Sequence, residues 1–234
     1  MTNIFSFTKD LILYEDNHVL IVDKPHRAPV TADDSQDTSL EDEAKKFIKI
    51  RDSKPGNVYL SLCHRIDRPV RGCVLFAKTS KAASRLSEQI REQKIKKTYY
   101  TFVEFDAKPD QATLTDFLKK DQKTNISKVV SEKDSDGKKC ILTYQKIREE
   151  NSRKKNIALL NINLVTGRSH QIRVQLSSRG MFILGDKKYG STLEFKQGAI
   201  ALFAYSLEFE HPTTKQIIFV KLNKVPSISP DEKI

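Results

Sequence analysis

The chain has 234 residues and a net charge of +11, from 41 lysines and arginines against 30 aspartates and glutamates. With 38% hydrophobic and 30% charged residues it reads as a globular protein with a well-charged surface, long enough for one large core or two small ones. No apolar run approaches the roughly 20 residues that cross a bilayer. Met1-Thr2-Asn3-Ile4-Phe5 also lacks the basic start and apolar stretch of a signal peptide.

Leu11–Tyr14 and Val19–Asp23 read as two short strands around Glu15-Asp16-Asn17, and Lys24-Pro25 ends the pattern. Thr38-Ser39-Leu40-Glu41 carries a capping signature, with Leu40, Ala44, Phe47 and Ile48 following at helical spacing. Val58–Leu62 and Cys73–Ala77 have the apolar, β-branched look of buried strands. A helix is predicted from Thr79 or Ser80, with Ala82, Ala83, Leu86 and Ile90 inward and Lys81, Arg85 and Arg91 solvated. Lys97–Phe105 reads as a strand. Lys108–Gly137 is polar and weakly patterned, which predicts a mobile insertion or a flap that would face a nucleic-acid partner such as RNA. Strands are then predicted at Cys140–Ile147, Ile157–Val165, Ile200–Phe209 and Ile217–Leu222. One helix interrupts them, Ser169–Arg179, with Ser169 as N-cap and Gly180 as the stop. Strands outnumber helices without alternating with them, which predicts an α+β fold on a mixed, mostly antiparallel sheet.

A positive surplus of this size attracts polyanions, nucleic acid or an anionic membrane surface. The lack of a basic amphipathic helix favours nucleic acid. Cys63, Cys73 and Cys140 have no metal spacing and read as reduced and mostly buried, which points to the cytoplasm. No His or Cys pair has zinc spacing, and no glycine-rich phosphate loop is present. The chain is therefore expected to hold no metal and no cofactor, and to be a monomer that does not touch a membrane.

Two segments carry chemistry. His64-Arg65-Ile66-Asp67-Arg68, with Arg71 beyond, places one carboxylate among three arginines. Such a carboxylate stays ionised and could serve as a nucleophile or base. The same cluster could equally be a surface salt-bridge network. In Gly167-Arg168-Ser169-His170-Gln171-Ile172-Arg173, Arg173 falls near a helix N-terminus, where its charge opposes the dipole. It is either solvated or paired with an anion, a carboxylate or a phosphate. His64 and His170 have no nucleophile partner visible in the sequence.

His64-Arg65-Ile66-Asp67-Arg68-Pro69, Gly72 and Leu75-Phe76-Ala77-Lys78-Thr79 resemble the catalytic segment of RluA-type pseudouridine synthases. Leu13-Tyr14-Glu15-Asp16, Val22-Asp23-Lys24-Pro25, Lys97-Thr98-Tyr99, Thr166–Arg173, Gly185-Asp186, Tyr189-Gly190 and Leu207–Pro212 follow the same family's order. The resemblance implies a single catalytic domain over residues 1–234, without the small N-terminal RNA-binding domain of many members. It implies isomerisation of uridine in ribosomal or transfer RNA, with no cofactor. Asp67 would be the nucleophile, Tyr99 would stack on the base, and Arg173 would pair with Asp67. His64, Arg65, Arg68, Arg71, Arg168 and Gln171 would contact substrate RNA, Arg65 filling the space left by a flipped base.

Departures from the family pattern are Val70-Arg71 for a usual Thr-Ser, Pro25-His26-Arg27 for Pro-small-Gly, and Gln175 and Phe203 for two common histidines. The alternative is an RNA-binding or assembly protein with a vestigial synthase site. An ionised carboxylate facing a polyanion argues against it.

Overall fold

Val19–Lys24 and Gly72–Ala77 are each an unbroken run of six buried residues, and they lie side by side. The computed structural model describes residues 5–33, 35, 37–104, 109–151, 156–196, 198–224 and 226–227. In chain order the described elements are β1 (Ile12–Glu15), β2 (Val19–Lys24), α1 (Leu40–Arg51), β3 (Ser61–Leu62), β4 (Arg71–Ala77) and α2 (Ser80–Arg91). Then come β5 (Lys96–Glu104), β6 (Gln111–Asp121), β7 (Ile126–Val130), β8 (Lys138–Asn151) and β9 (Asn156–Leu164). Last are α3 (Gln171–Ser177), β10 (Phe182–Ile183), β11 (Leu202–Glu210) and β12 (Ile217–Lys221). This is an α+β fold. None of its described helices is long and apolar enough to cross a membrane.

The chain divides into two compact units, residues 1–96 with 204–225, and residues 97–203 with 226–234. In the first, the strand order is β1-β2-β4-β11, with β3 on β4 and β12 on β11. β2 and β4 run antiparallel from Val19 opposite Ala77 to Lys24 opposite Gly72. Apart from Arg71 both are buried on both faces, and Val19–Val22 and Cys73–Ala77 read as continuous apolar runs. Each fully buried Val, Leu or Ile there contributes about 1.5–3 kcal/mol relative to exposure. Gly72 has φ +136°, and a Cβ there would stand 2.2 Å from the Ala204 carbonyl oxygen, so no other residue fits.

The helices of this unit begin where their caps dictate. Ser39, not Thr38, caps α1: its hydroxyl accepts from Asp42 N (3.1 Å) and donates to the Asp42 carboxylate (2.7 Å). Thr79 caps α2 by accepting from Ala82 N at 3.2 Å. On α2, Gln89 is buried and Arg85 donates to Pro212 O at 2.6 Å, so Arg85 is not part of a solvated face as predicted. The predicted strand Val58–Leu62 shrinks to Ser61–Leu62, and Tyr59 is exposed. Only those two residues find a partner on β4.

The second unit orders its strands β5-β9-β8-β6-β7, with β10 on β5. These ladders are all antiparallel. The predicted flap within Lys108–Gly137 is instead regular sheet: β6 pairs with β7 and β8 over most of its length. Its inward alternation was hidden because Asp116 occupies an inward position between Leu114 and Leu118. Arg179 neutralises that carboxylate at 2.9 Å, and Gln175 donates to it at 2.7 Å. Phe105 and Lys108, at the ends of two predicted segments, lie outside the described residues. Helix α3 is shorter than predicted, seven residues, and its N-cap is His170 in the left-handed conformation, not Ser169. Gly180 (φ +75°) follows its last turn, as predicted.

Candidate functional site

In the first unit, Asp67 sits half-buried on the loop between β3 and β4, where its carbonyl accepts from Val70 N at 3.0 Å. The residue that fastens this loop is Lys24, the fully buried last residue of β2. Its ammonium donates to Pro25 O (3.0 Å), Ala28 O (2.9 Å) and Arg68 O (3.0 Å), one acceptor per proton. Burial pushes its pKa down to about 7, while the nearby Asp67 carboxylate favours the charged form. His26 Nδ1 lies 2.9 Å from Pro69 O and braces the other side of the loop.

The arginines of the loop divide by partner. Arg68 donates to Arg27 O (3.0 Å), Asp33 (3.2 Å) and Ser35 Oγ (2.7 Å), and also to Asp37. Arg71 pairs with Asp23 at 2.8 Å, which holds its guanidinium pKa above the ordinary value. The extra charge that Arg71 brings to the loop is thus met by a carboxylate from β2. Arg65 is exposed and, among the described residues, has no hydrogen-bond or ion-pair partner. His64 Nε2 accepts from Leu75 N at 3.2 Å, which sets the ring against the second half of β4.

In the second unit, α3 turns Gln171 through Leu176 wholly inward. Arg173 meets Asp186 in a two-pronged pair, Nε to Oδ2 at 2.7 Å and Nη2 to Oδ1 at 2.8 Å, with both side chains buried. This carboxylate supplies an anion that Arg173 was expected to need. The guanidinium also lies 4.9 Å from the centroid of the Tyr189 ring. The Tyr189 hydroxyl accepts from Ser127 N (2.9 Å) and lies 2.7 Å from His170 Nδ1. That contact ties β7 to the start of α3.

Gln171 uses its full hydrogen-bonding capacity inside the protein. Its oxygen accepts from Thr166 Oγ1 (2.8 Å) and Arg168 N (3.0 Å), and its amide donates to Ile141 O (3.1 Å) and Gln175 Oε1 (3.0 Å). It shapes the turn Thr166-Gly167-Arg168 and keeps no donor for RNA. Arg168 is exposed and donates to Lys139 O at 3.3 Å. Tyr99 is buried on β5, opposite Ile162 of β9.

Sequence reasoning named Asp67, Tyr99 and Arg173 but missed Lys24, Asp186 as the partner of Arg173, and Glu104. The Glu104 carboxylate is buried and accepts from Ser191 Oγ (2.7 Å), Thr192 N (2.8 Å), Leu193 N (3.1 Å) and Thr192 Oγ1 (3.0 Å), fixing the loop after Tyr189. A usable signal existed for Lys24, since a lysine in a strand that opens with the apolar run Val19–Val22 is almost never buried without partners.

A basic α+β protein with a tethered loop carboxylate and a buried arginine–carboxylate pair is the class that fold and geometry define. The RNA pseudouridylate synthase family model matches residues 18–178, a span that contains Asp67, Tyr99 and Arg173. The chain is 33% identical over 220 residues to the ribosomal large subunit pseudouridine synthase C of Buchnera aphidicola, covering 90% of this chain and 66% of that one. It is 31% identical over 219 residues to the ribosomal large subunit pseudouridine synthase D of Zymomonas mobilis, covering 89% and 67%. The chain therefore spans about two thirds of the length of these relatives. The solved structure of human RNA pseudouridylate synthase domain containing 4 shares the fold, with a TM-score of 0.74 at 20% identity over 93% of this chain and 90% of that one. The chain belongs to the RNA pseudouridylate synthase family, in its RluA-type branch.

Proposed function

We propose that this chain isomerises uridine in RNA to pseudouridine and that residues 1–234 act as a single catalytic domain. The observation that carries the reading is the family match, which spans Asp67, Tyr99 and Arg173 in the order of the family's motifs. The C1′–N1 bond breaks, the base turns over, a C1′–C5 bond forms, the C5 proton leaves, and N1 gains a proton. Atoms and electrons balance within the nucleotide, so the conversion calls for no redox partner or group donor.

Asp67 is the proposed nucleophile. Lys24 serves it as a positioning residue by fixing the backbone at Arg68. Tyr99 stacks on the target base and is a candidate to take the C5 proton. Arg173, aimed by Asp186, carries the compensating positive charge. Arg65 is the proposed occupant of the space left by the flipped base, which its flat guanidinium suits. Arg168, Arg68, Arg71 and His64 are proposed to face the RNA. For Arg68 and Arg71 the fit is weaker than for Arg65, because their charges are already met by carboxylates.

The proposed substrate is ribosomal or transfer RNA, the former supported by relatives named as ribosomal large subunit pseudouridine synthases, and the proposed setting is the cytoplasm, with the protein a monomer. The test is a pseudouridine map of ribosomal and transfer RNA from cells lacking the protein, complemented with the native chain or with Asp67→Asn. A site restored only by the native chain supports the reading. Full restoration by Asp67→Asn overturns it and favours an RNA-binding role.

A further inference from the structure

Lys97 stands two residues before Tyr99 on β5, so both side chains leave the strand on the same face. Its side chain is half-buried, and burial alone pushes its pKa below the ordinary lysine value. Buried ammonium groups are normally paired, because desolvating a charge without a partner is costly. Among the described residues, Lys97 has no hydrogen-bond or ion-pair partner.

The turn Thr166-Gly167-Arg168 lies beside it. A methyl group built on Gly167 would sit in ordinary contact, 3.5 Å from Lys97 Nζ, so the ammonium lies beside the exposed backbone of this turn. The turn is held from within: Gln171 accepts from Thr166 Oγ1 and from Arg168 N. Arg168 itself is exposed on the other side of the glycine. Two cations therefore flank an open stretch of backbone on a fixed turn, and neither has a carboxylate partner among the described residues. A fold that needed Lys97 only for packing would be better served by an apolar side chain of the same length.

We infer that Lys97, with Arg168 and the open backbone at Gly167, binds a phosphodiester of the RNA strand, the one next to the uridine placed at Tyr99. The inference rests on the isomerase reading for its choice of nucleotide. It adds a residue and a ligand group to that reading. The phosphate supplies the missing anion and fixes the register of the strand at Tyr99, where base contacts alone would allow slippage.

The test measures binding of a short fluorescent oligouridylate across a salt series, together with the melting temperature of each variant. Lys97→Met is expected to weaken binding about ten-fold or more and to reduce the slope of log affinity against log salt by about 0.7, as for one single-strand phosphate lost. Its melting temperature is expected to stay level or rise, because an unpaired buried charge is removed. Lys97→Arg is expected to recover most of the affinity. An oligouridylate carrying one neutral methylphosphonate beside a central uridine should weaken the native protein and leave Lys97→Met unaffected.

Native-like affinity and salt slope in Lys97→Met would overturn the inference, as would a loss of affinity that tracks a lowered melting temperature. Turnover of uridine by the native chain is read separately. If turnover is present while the salt slope is unchanged, only the phosphate site fails. If turnover is absent while the slope falls, only the isomerase reading fails.

Discussion

Replacing Lys24 by Met tests the tether beneath Asp67. In the folded protein the Lys24 ammonium titrates at about 7, against 10.5 for an ordinary lysine. Between those two values the unfolded chain binds a proton that the folded chain does not. Native stability therefore rises with pH across that window, by up to about 1.4 kcal/mol per unit and on the order of 5 kcal/mol in all. Below pH 7 both states hold the proton and the full burial penalty is present. Met fills much the same volume but gives no proton to Pro25 O, Ala28 O and Arg68 O, which the ammonium serves at 2.9–3.0 Å. Three carbonyls without donors outweigh the relief of desolvation, so Lys24→Met is expected to be about 2–4 kcal/mol less stable at pH 7. The gap should widen toward pH 10, since only the native chain gains there. Urea unfolding of both proteins at a series of pH values measures this. Parallel pH profiles, or a variant more stable than the native chain throughout, would refute the reasoning.

Two further substitutions probe the second cluster and the first sheet. Asp186→Ala removes both acceptors of the two-pronged pair on the buried Arg173 guanidinium and is expected to cost about 3–5 kcal/mol. A denaturation midpoint within error of the native value would show that Arg173 is adequately paired without it. Gly72→Ala forces a methyl group against the Ala204 carbonyl, with only backbone to give way. It is expected to cost more than about 3 kcal/mol or to abolish soluble expression. A well-folded Gly72→Ala protein with native thermal stability would contradict the packing of β4 on β11.

Legibility in the sequence followed how local each signal was. β2, β4, α1 and α2 were readable because their inward residues are apolar and their caps lie within a turn of the helix start. The 111–130 segment was not readable. There an inward Asp116 breaks the apolar alternation, and its partners, the donor Gln175 and the counter-charge Arg179, lie about sixty positions away in the chain. The start of α3 was misread for a related reason. Ser169 is the better cap by residue type, yet His170 takes the cap position in a left-handed conformation, with its ring against Tyr189. That contact exists only once the 185–190 loop has folded back.

The sequence by itself determined the family and most of the elements outside residues 108–137, and it named candidate residues for the chemistry. Each of these is written in short contiguous motifs and in the surplus of positive charge. Only the tertiary structure decided which charges are spent inside the protein. Arg68, Arg71 and Arg173 look alike as letters beside Arg65 and Lys97, but carboxylates from distant segments meet the first three. Pairing of buried charges depends on distances of a few ångströms between residues far apart in the chain, and folding alone sets those distances.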